Sequence, residues 1–282
     1  MKVLHLSDLH YGDQSRDNQT ENGARVLKTK ILEKWGNSDK KPLIVVTGDV
    51  VDDGQRDQME MAKQGFFDPL RKEGFRILPV PGNHDYGKNG CHAKEKQFPD
   101  FKELLIGPRT VTYPDVLDPV DCGKFDLFLI GLNSMRAETG KYDGWLADGE
   151  LGTNQLDDLG SRLEHLQGYP KDKVILIYLH HHPFLFPDDN LFEKVKEYAG
   201  HYLKDGSDLM NIIRGRVDIL LFGHEHRHIN FSEPMKKKIL TEKYDIPVIL
   251  SCDKSTNPGN PAWLLDIKGS GNVKPNELWE AG

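Results

Sequence analysis

The stretch Leu43-Ile44-Val45-Val46-Thr47-Gly48-Asp49-Val50-Val51-Asp52 sets an unbroken apolar run against a glycine and two carboxylates. Such a run suits a strand covered on both faces. The glycine permits an abrupt turn that leaves an aspartate at the strand's carboxyl end. The arrangement recurs along the chain. Lys2–Ser7 leads into Asp8-Leu9-His10, and Arg76–Val80 into Gly82-Asn83-His84-Asp85. Val174–Leu179 leads into His180-His181-His182-Pro183, and Val217–Phe222 into Gly223-His224-Glu225-His226. Further strands are expected at Asp126–Leu132, Pro247–Ser251 and Ala262–Ile267. Apolar residues near i, i+3 and i+4 predict helices over Ala24–Trp35, Gln58–Lys72, Lys94–Leu105, Asn154–Leu166 (with Thr153 as its cap) and Leu191–Leu203. Strands alternating with helices make an α/β fold, whose sites lie at the carboxyl ends of the strands.

With 37% hydrophobic and 29% charged residues over 282 positions, the chain has the composition of a folded globular protein. We expect a single catalytic domain over residues 1–282, with residues 184–216 as an insertion that shapes a pocket and 269–282 as a loose, Gly-, Asn- and Pro-rich tail. The longest apolar run, Val174–Leu179, is far below the ~18 residues of a membrane span, and Lys2 followed at once by a strand does not read as a signal peptide. Cys91, Cys122 and Cys252 are odd in number and far apart, which points away from a disulfide framework and towards a reducing, cytoplasmic setting. The formal charge of -7, from 44 acidic against 37 basic residues, leaves nucleic acid possible but not favoured as a partner.

The five strand ends collect imidazoles, carboxylates and one amide, with no thiolate among them. That donor set suits borderline divalent ions such as Zn, Fe or Mn. In extended backbone residues i and i+2 point the same way, so Asp8 with His10, and His224 with His226, are expected to converge. Seven donors exceed what one ion needs and match two ions sharing a carboxylate, the arrangement used on phosphate esters. Read singly, Asp8-x-His10 is an ordinary loop and Gly48-Asp49-x-x-Asp52 an ordinary turn. Gly82-Asn83-His84-Asp85 is more specific, and the ordered set of five makes coincidence a poor account.

That set resembles the calcineurin-like metallophosphoesterases over residues 8–226. The resemblance implies two packed mixed β-sheets flanked by helices, with a dinuclear site at the strand ends. It implies one ion held by Asp8, His10, Asp49 and His226, and a second by Asp49, Asn83, His181 and His224. His181 is selected because the family's ligand stands two residues before the proline. His180 is then a core residue, and Asp52 stands behind the ligands. His84 would be the catalytic residue at the leaving group with Asp85 beside it, and Asn83 and His84 would also meet the substrate. The implied reaction is hydrolysis of a small phosphate ester by a hydroxide activated between two divalent ions. Asn133-Ser134, Gly149-Glu150-Leu151-Gly152 and Gln155-Leu156 with Leu159 are similar to the cyclic-nucleotide and glycerophosphodiester phosphodiesterases of this family. A nuclease or phosphomonoesterase of the same fold is the alternative. A scaffold without metals would be expected to lack ligands that this sequence has.

Other residues read as structural. His5 sits within the first strand, His92, His165 and His201 are isolated, and Cys91 shows no activating neighbour. Met235-Lys236-Lys237-Lys238 reads as a solvated charge run. His228, two beyond His226, is the remaining candidate for contact with substrate.

Overall fold

The structure is a computed structural model that describes residues 1–13, 19–87, 97–135, 147–186, 202–233 and 240–279. Two mixed sheets carry the fold. The first has strand order β12-β11-β1-β2-β3, from β1 (Lys2–Leu6), β2 (Leu43–Thr47), β3 (Ile77–Val80), β11 (Trp263–Gly269) and β12 (Asn272–Glu277). The second has the order β4-β6-β7-β8-β10-β9, with β4 (Asp115–Val116), β6 (Asp126–Gly131), β7 (Lys173–Tyr178), β8 (Ile219–Phe222), β9 (Ile229–Asn230) and β10 (Val248–Ser251). β5 (Val120–Asp121) pairs with β6 as an extra antiparallel strand. Strands β1, β2 and β3 run parallel, as do β6, β7, β8 and β10. The antiparallel strands lie at the margins.

Side-chain alternation explains why the strands are apolar throughout. Val3, Val45, Leu176, Tyr178, Leu221 and Leu250 share one buried cluster with residues of both sheets, which is the layer between them. Leu4, Leu6, Ile44 and Val46 face the other way, against Leu27 and Ile31 of α1 (Gln19–Trp35) and Phe66. Ile175, Ile177, Leu220 and Phe222 pack outward on Leu156, Leu159 and Leu163 of α5 (Thr153–Gln167) and on Leu209 and Ile213 of α6 (Gly206–Ile213). The order of layers is helix, sheet, sheet, helix. No described helix is long and apolar enough to cross a membrane.

Several boundaries depart from the sequence reading. The tail expected to be loose forms β12, in register with β11 from Trp263↔Glu277 to Gly269↔Asn272. Its polar composition belongs to an edge strand, exposed along most of its length. The segment expected as one helix over Gln58–Lys72 is three pieces: α2 (Arg56–Ala62), a π-turn at Lys63–Phe67 and α3 (Asp68–Lys72). Another π-turn, Lys102–Ile106, follows α4 (Phe98–Phe101). Thr153 is the first residue of its helix rather than the cap. Gly152 stands at the cap, and the Asp205 carboxylate accepts the N–H groups of Leu151 and Gly152. α6 was not foreseen. The helix expected at Leu191–Leu203, residues 187–201 of the 184–216 insertion, Cys91, His92, His201 and Met235–Lys238 lie wholly or largely outside the described residues.

The layer between the sheets sets the stability. Leu221→Ala should lower unfolding free energy by about 2–5 kcal/mol, the usual cost of a buried leucine truncation. Met61→Ala, at a side chain 45% exposed, should stay within about 0.5 kcal/mol. Urea midpoints of the two variants check this, and equal shifts would contradict the assignment of the layers.

Candidate metal centre

Three of the five strand ends, those after β1, β2 and β8, turn sharply at the donor residues. Asp8 (φ 53°), His10 (47°), Asp49 (50°), His224 (75°) and His226 (51°) all take left-handed backbone. For residues with a Cβ this costs about 1–3 kcal/mol each, and such residues gather at functional sites. The expected extended geometry at Asp8–His10 and His224–His226 is therefore replaced by paired left-handed turns, which bring Asp8 and His10 together but send His224 towards His180 and His226 towards Asp8 and His10.

The turns are tied to one another. Asp8 N–H donates to Gly48 O at 3.1 Å and His10 N–H to Asp49 O at 3.0 Å. His84 N–H donates to Asp49 Oδ1 at 2.9 Å, and His224 N–H to Asp8 Oδ2 at 3.3 Å. Gly48 is itself left-handed, as expected of a turn glycine. Gly82 and Gly223 are needed for a different reason, close approach. A Cβ on Gly82 would strike Asp49 Oδ1, and one on Gly223 would strike Ser7 Oγ and Asp8 Oδ2.

Two pockets of donors result, meeting at Asp49. In the first, Asp8 Oδ1 lies 3.3 Å from His226 Nε2 and 3.8 Å from His10 Nε2. The two imidazole nitrogens are 3.3 Å apart, and Asp49 Oδ2 is 3.8 Å from His10 Nε2. In the second, His180 Nε2 is 2.9 Å from Asn83 Oδ1, 3.2 Å from His224 Nδ1 and 3.3 Å from the same Asp49 Oδ2.

The histidine of the fourth segment is where the geometry departs from expectation. His180, not His181, stands among Asn83, Asp49 and His224. Alternation along β7 explains it. Tyr178 faces the other sheet, and His180, two further on, follows it to that side. There its Nδ1–H donates to Thr47 O at 2.7 Å. His181 points the opposite way, with Nδ1 2.7 Å from Ser134 Oγ and Nε2 3.2 Å from Ala147 O. His181 nevertheless remains close enough to His180 and His224 for the three to form a donor cluster.

The donors suit divalent cations on the chemistry of the set. Asp8 Oδ1 is buried and accepts no hydrogen bond, while imidazole nitrogens crowd round it. Burial holds His10 and His224 well below the ordinary imidazole value, which keeps their nitrogen lone pairs available. Burial would raise Asp49, but the imidazoles of His180, His84 and His10 hold its carboxyl well below the usual range. Burial also opposes charge on His180, yet Asp49 and Asp8 push it up to about 9. The pocket calls for positive charge at that atom.

The remaining expected residues divide. Asp52 stands behind the site as foreseen, its Oδ1 3.2 Å from His10 Nδ1 and its backbone carbonyl accepting from His84 Nδ1 at 2.6 Å. His84 is 22% exposed, edge-on to the His10 ring at 4.7 Å, and Nε2 is its remaining polar atom. Asp85, expected as a catalytic partner, is fully buried, and its two oxygens accept Val51 N–H at 3.0 Å and Gly82 N–H at 2.9 Å. It braces the two loops that carry Asp49 and Asn83. Burial and the Asp49 charge push it up to about 7.

His228, expected at the substrate, instead lies flat on the Trp263 indole, with centroids 4.0 Å apart and planes 4° apart. The chain has by then left the ligand turn to enter β9, which carries the ring over β11. Burial holds His228 down to about 4. His5 is a core residue as expected, its Nε2 2.9 Å from Thr47 Oγ1.

Two supports went unread. Asn133 and Gln155 exchange hydrogen bonds, Asn133 donates to Tyr86 Oη at 2.8 Å, and Ser134 backs His181. The loop after β10 also reaches the site: Ser255 N–H donates to Ser7 O at 2.9 Å and Ser7 N–H to Ser255 Oγ at 3.1 Å. The signal for that loop was present, since Asp253-Lys254-Ser255-Thr256 follows a strand just as the ligand segments do.

Comparison with known proteins bears on the family and the fold. A probable cyclic nucleotide phosphodiesterase of Coxiella burnetii is 25% identical over 234 residues, covering 82% of this chain and 78% of that protein. The glycerophosphodiester phosphodiesterase GpdQ of Enterobacter lignolyticus is 22% identical over 261 residues, covering 92% and 82%. Among solved structures, a dimetal phosphatase from Danio rerio superposes with a TM-score of 0.59 at 13% identity, covering 98% of this chain and 96% of that one. A purple acid phosphatase from yellow lupin (Lupinus luteus) superposes at 0.57 and 12% identity, covering 98% and 52%, which extends the likeness of fold. Residues 1–228 match the calcineurin-like phosphoesterases, and the chain belongs to that family.

Proposed function

We propose that this chain is a metal-dependent hydrolase of phosphate esters with a dinuclear centre, acting on a small phosphodiester of the cyclic-nucleotide kind. The observation that carries the reading is the pair of donor pockets meeting at Asp49 Oδ2. Asp8, His10, His226 and Asp49 would hold one divalent ion, Mn, Fe or Zn. Asn83, His180, His224 and Asp49 would hold the other. Bound there, such ions supply Lewis-acid activation of the attacking water and neutralise phosphoryl charge. The diesterase assignment is supported by the relatives' printed activities and by the Asn133–Ser134 and Gly149–Gly152 segments, of which Ser134 and Gly149 lie against His181.

The chain's own side chains do the rest. His84, tied at Nδ1 to the Asp52 carbonyl, presents Nε2 as the proton donor to the departing oxygen. General acid help of this kind is worth ~10²–10⁴ in rate. Asp52 steadies both His10 and His84, and Asp85 fixes the Gly82 and Val51 loops on which Asn83 and Asp49 ride. A nuclease would cut oligonucleotides with Mn²⁺, and a phosphomonoesterase would prefer monoesters. Hydrolysis rates on cyclic nucleotides, phosphomonoesters and oligonucleotides distinguish both from the diesterase reading.

Three results test it. Dialysis against a chelator should abolish hydrolysis, and Mn²⁺, Fe²⁺ or Co²⁺ should restore it. Full turnover by protein shown to be metal-free would end the metal-dependent reading. His180→Ala should lose about one ion per chain and at least ~10²-fold in rate, whereas His181→Ala should keep both ions. Elemental analysis of the two variants decides between the neighbours, and the reverse pattern would restore His181. His84→Asn should keep both ions, lose roughly 10²-fold or more on alkyl esters and clearly less on p-nitrophenyl esters, whose leaving group needs no proton. Equal losses on both substrates with full metal would remove the general acid.

A further inference from the structure

Lys254 lies in the loop after β10 and belongs to none of the segments that hold the donors. Its residue surface is only 7% exposed. Its ammonium nevertheless forms no hydrogen bond or ion pair with any described residue. The neighbouring carboxylate is engaged elsewhere: Asp253 Oδ1 accepts Lys254's own backbone N–H at 2.6 Å and Asn257 Nδ2 at 3.2 Å. Asp52 Oδ1 is turned to His10. The stem is packed away while the ammonium tip stays open to a partner from outside the chain, with the Asp52 carboxylate near enough to feel its charge.

The loop that carries it cannot drift. Besides the two Ser7–Ser255 hydrogen bonds, Thr256 Oγ1 donates to Leu9 O at 3.3 Å and Asn260 Nδ2 to Ser255 O at 3.0 Å. These bonds fix the loop to the Asp8–His10 turn. The lysine's charge is felt by His10 and by Asp52, which puts the ammonium on the side of the site where His84 is anchored.

We propose that Lys254 is a substrate-binding residue whose ammonium takes a phosphoryl oxygen on the His10–Asp52 side, outside the set of residues that hold ions. The assignment rests on the phosphoesterase reading above and deepens it. It gives the site a fixed monovalent cation in addition to its metals, suited to a phosphate that carries more than one negative charge, as the released product does. Asp253, which packs against its own loop, takes no part.

The test is calorimetric titration of Mn²⁺-loaded protein with inorganic phosphate, on wild type, Lys254→Met and Lys254→Arg. Lys254→Met should bind phosphate about 10-fold or more weakly, the scale of one charge-assisted hydrogen bond. It should also raise KM for bis(p-nitrophenyl) phosphate while keeping its metal. Lys254→Arg should stay within about 3-fold of wild type. The melting temperature of Lys254→Met should stay close to that of wild type, because the substitution keeps a buried stem of similar length and removes no hydrogen bond or ion pair to a described residue. Unchanged phosphate affinity and KM in a Lys254→Met protein that melts lower would make the lysine structural and overturn the assignment. Failure of the metal-loaded wild type to bind phosphate would overturn it as well. If phosphate affinity falls as expected but wild type hydrolyses no phosphate ester, Lys254 stands and the hydrolase reading falls.

Discussion

The contact on which the site depends is a single hydrogen bond between sheets, from His180 Nδ1–H to the Thr47 carbonyl at 2.7 Å. Thr47 ends a strand of one sheet, and His180 follows a strand of the other. The bond uses one nitrogen of the ring and so directs the second at Asn83 and Asp49, which belong to the first sheet. A donor pocket built this way exists only when the two sheets meet face to face in the right register. The apolar layer of Val45, Leu176, Tyr178 and Leu221 therefore acts on the chemistry at a distance. It sets the separation across which the ligands meet.

The site also concentrates unfavourable features that the core must outweigh. Five donors sit in left-handed backbone, imidazole nitrogens face one another across short gaps, and carboxylates lie buried beside them. None of this would be selected for stability alone, and it gathers where cations would relieve it. The tight glycines belong to the same economy of space, since Asp49 and Asp8 occupy the volume that a side chain at Gly82 or Gly223 would need.

Much of this was legible in the sequence, and for identifiable reasons. The long apolar strands announced a sheet covered on both sides, and glycine followed by a metal-type donor marked the strand ends. Two things were hidden. Three consecutive histidines look alike in sequence, and anchoring the choice on Pro183 gave His181, whereas the pleat of β7 counted from Tyr178 gives His180. The left-handed turns could not be read from residue types such as Asp and His, so the extended geometry inferred for Asp8–His10 was wrong although the convergence was right. β12 was missed because an exposed edge strand has the composition of a loop. His228 was misplaced because the partner that captures it, Trp263, comes 35 residues later.

β1 lies in the middle of its sheet, between β2 and β11. As the chain is synthesised, this strand gains β2 early, while its other edge stays bare until β11 (Trp263–Gly269) exists. The nascent chain thus carries an open, apolar strand edge while all the residues between β2 and β11 are made, the kind of edge that recruits foreign strands. The Ser7–Ser255 clasp and the pairing of β1 with β11 arrive together from the same late stretch. Closing that edge and completing the surroundings of Asp8 and His10 are consequently one event in the life of the molecule.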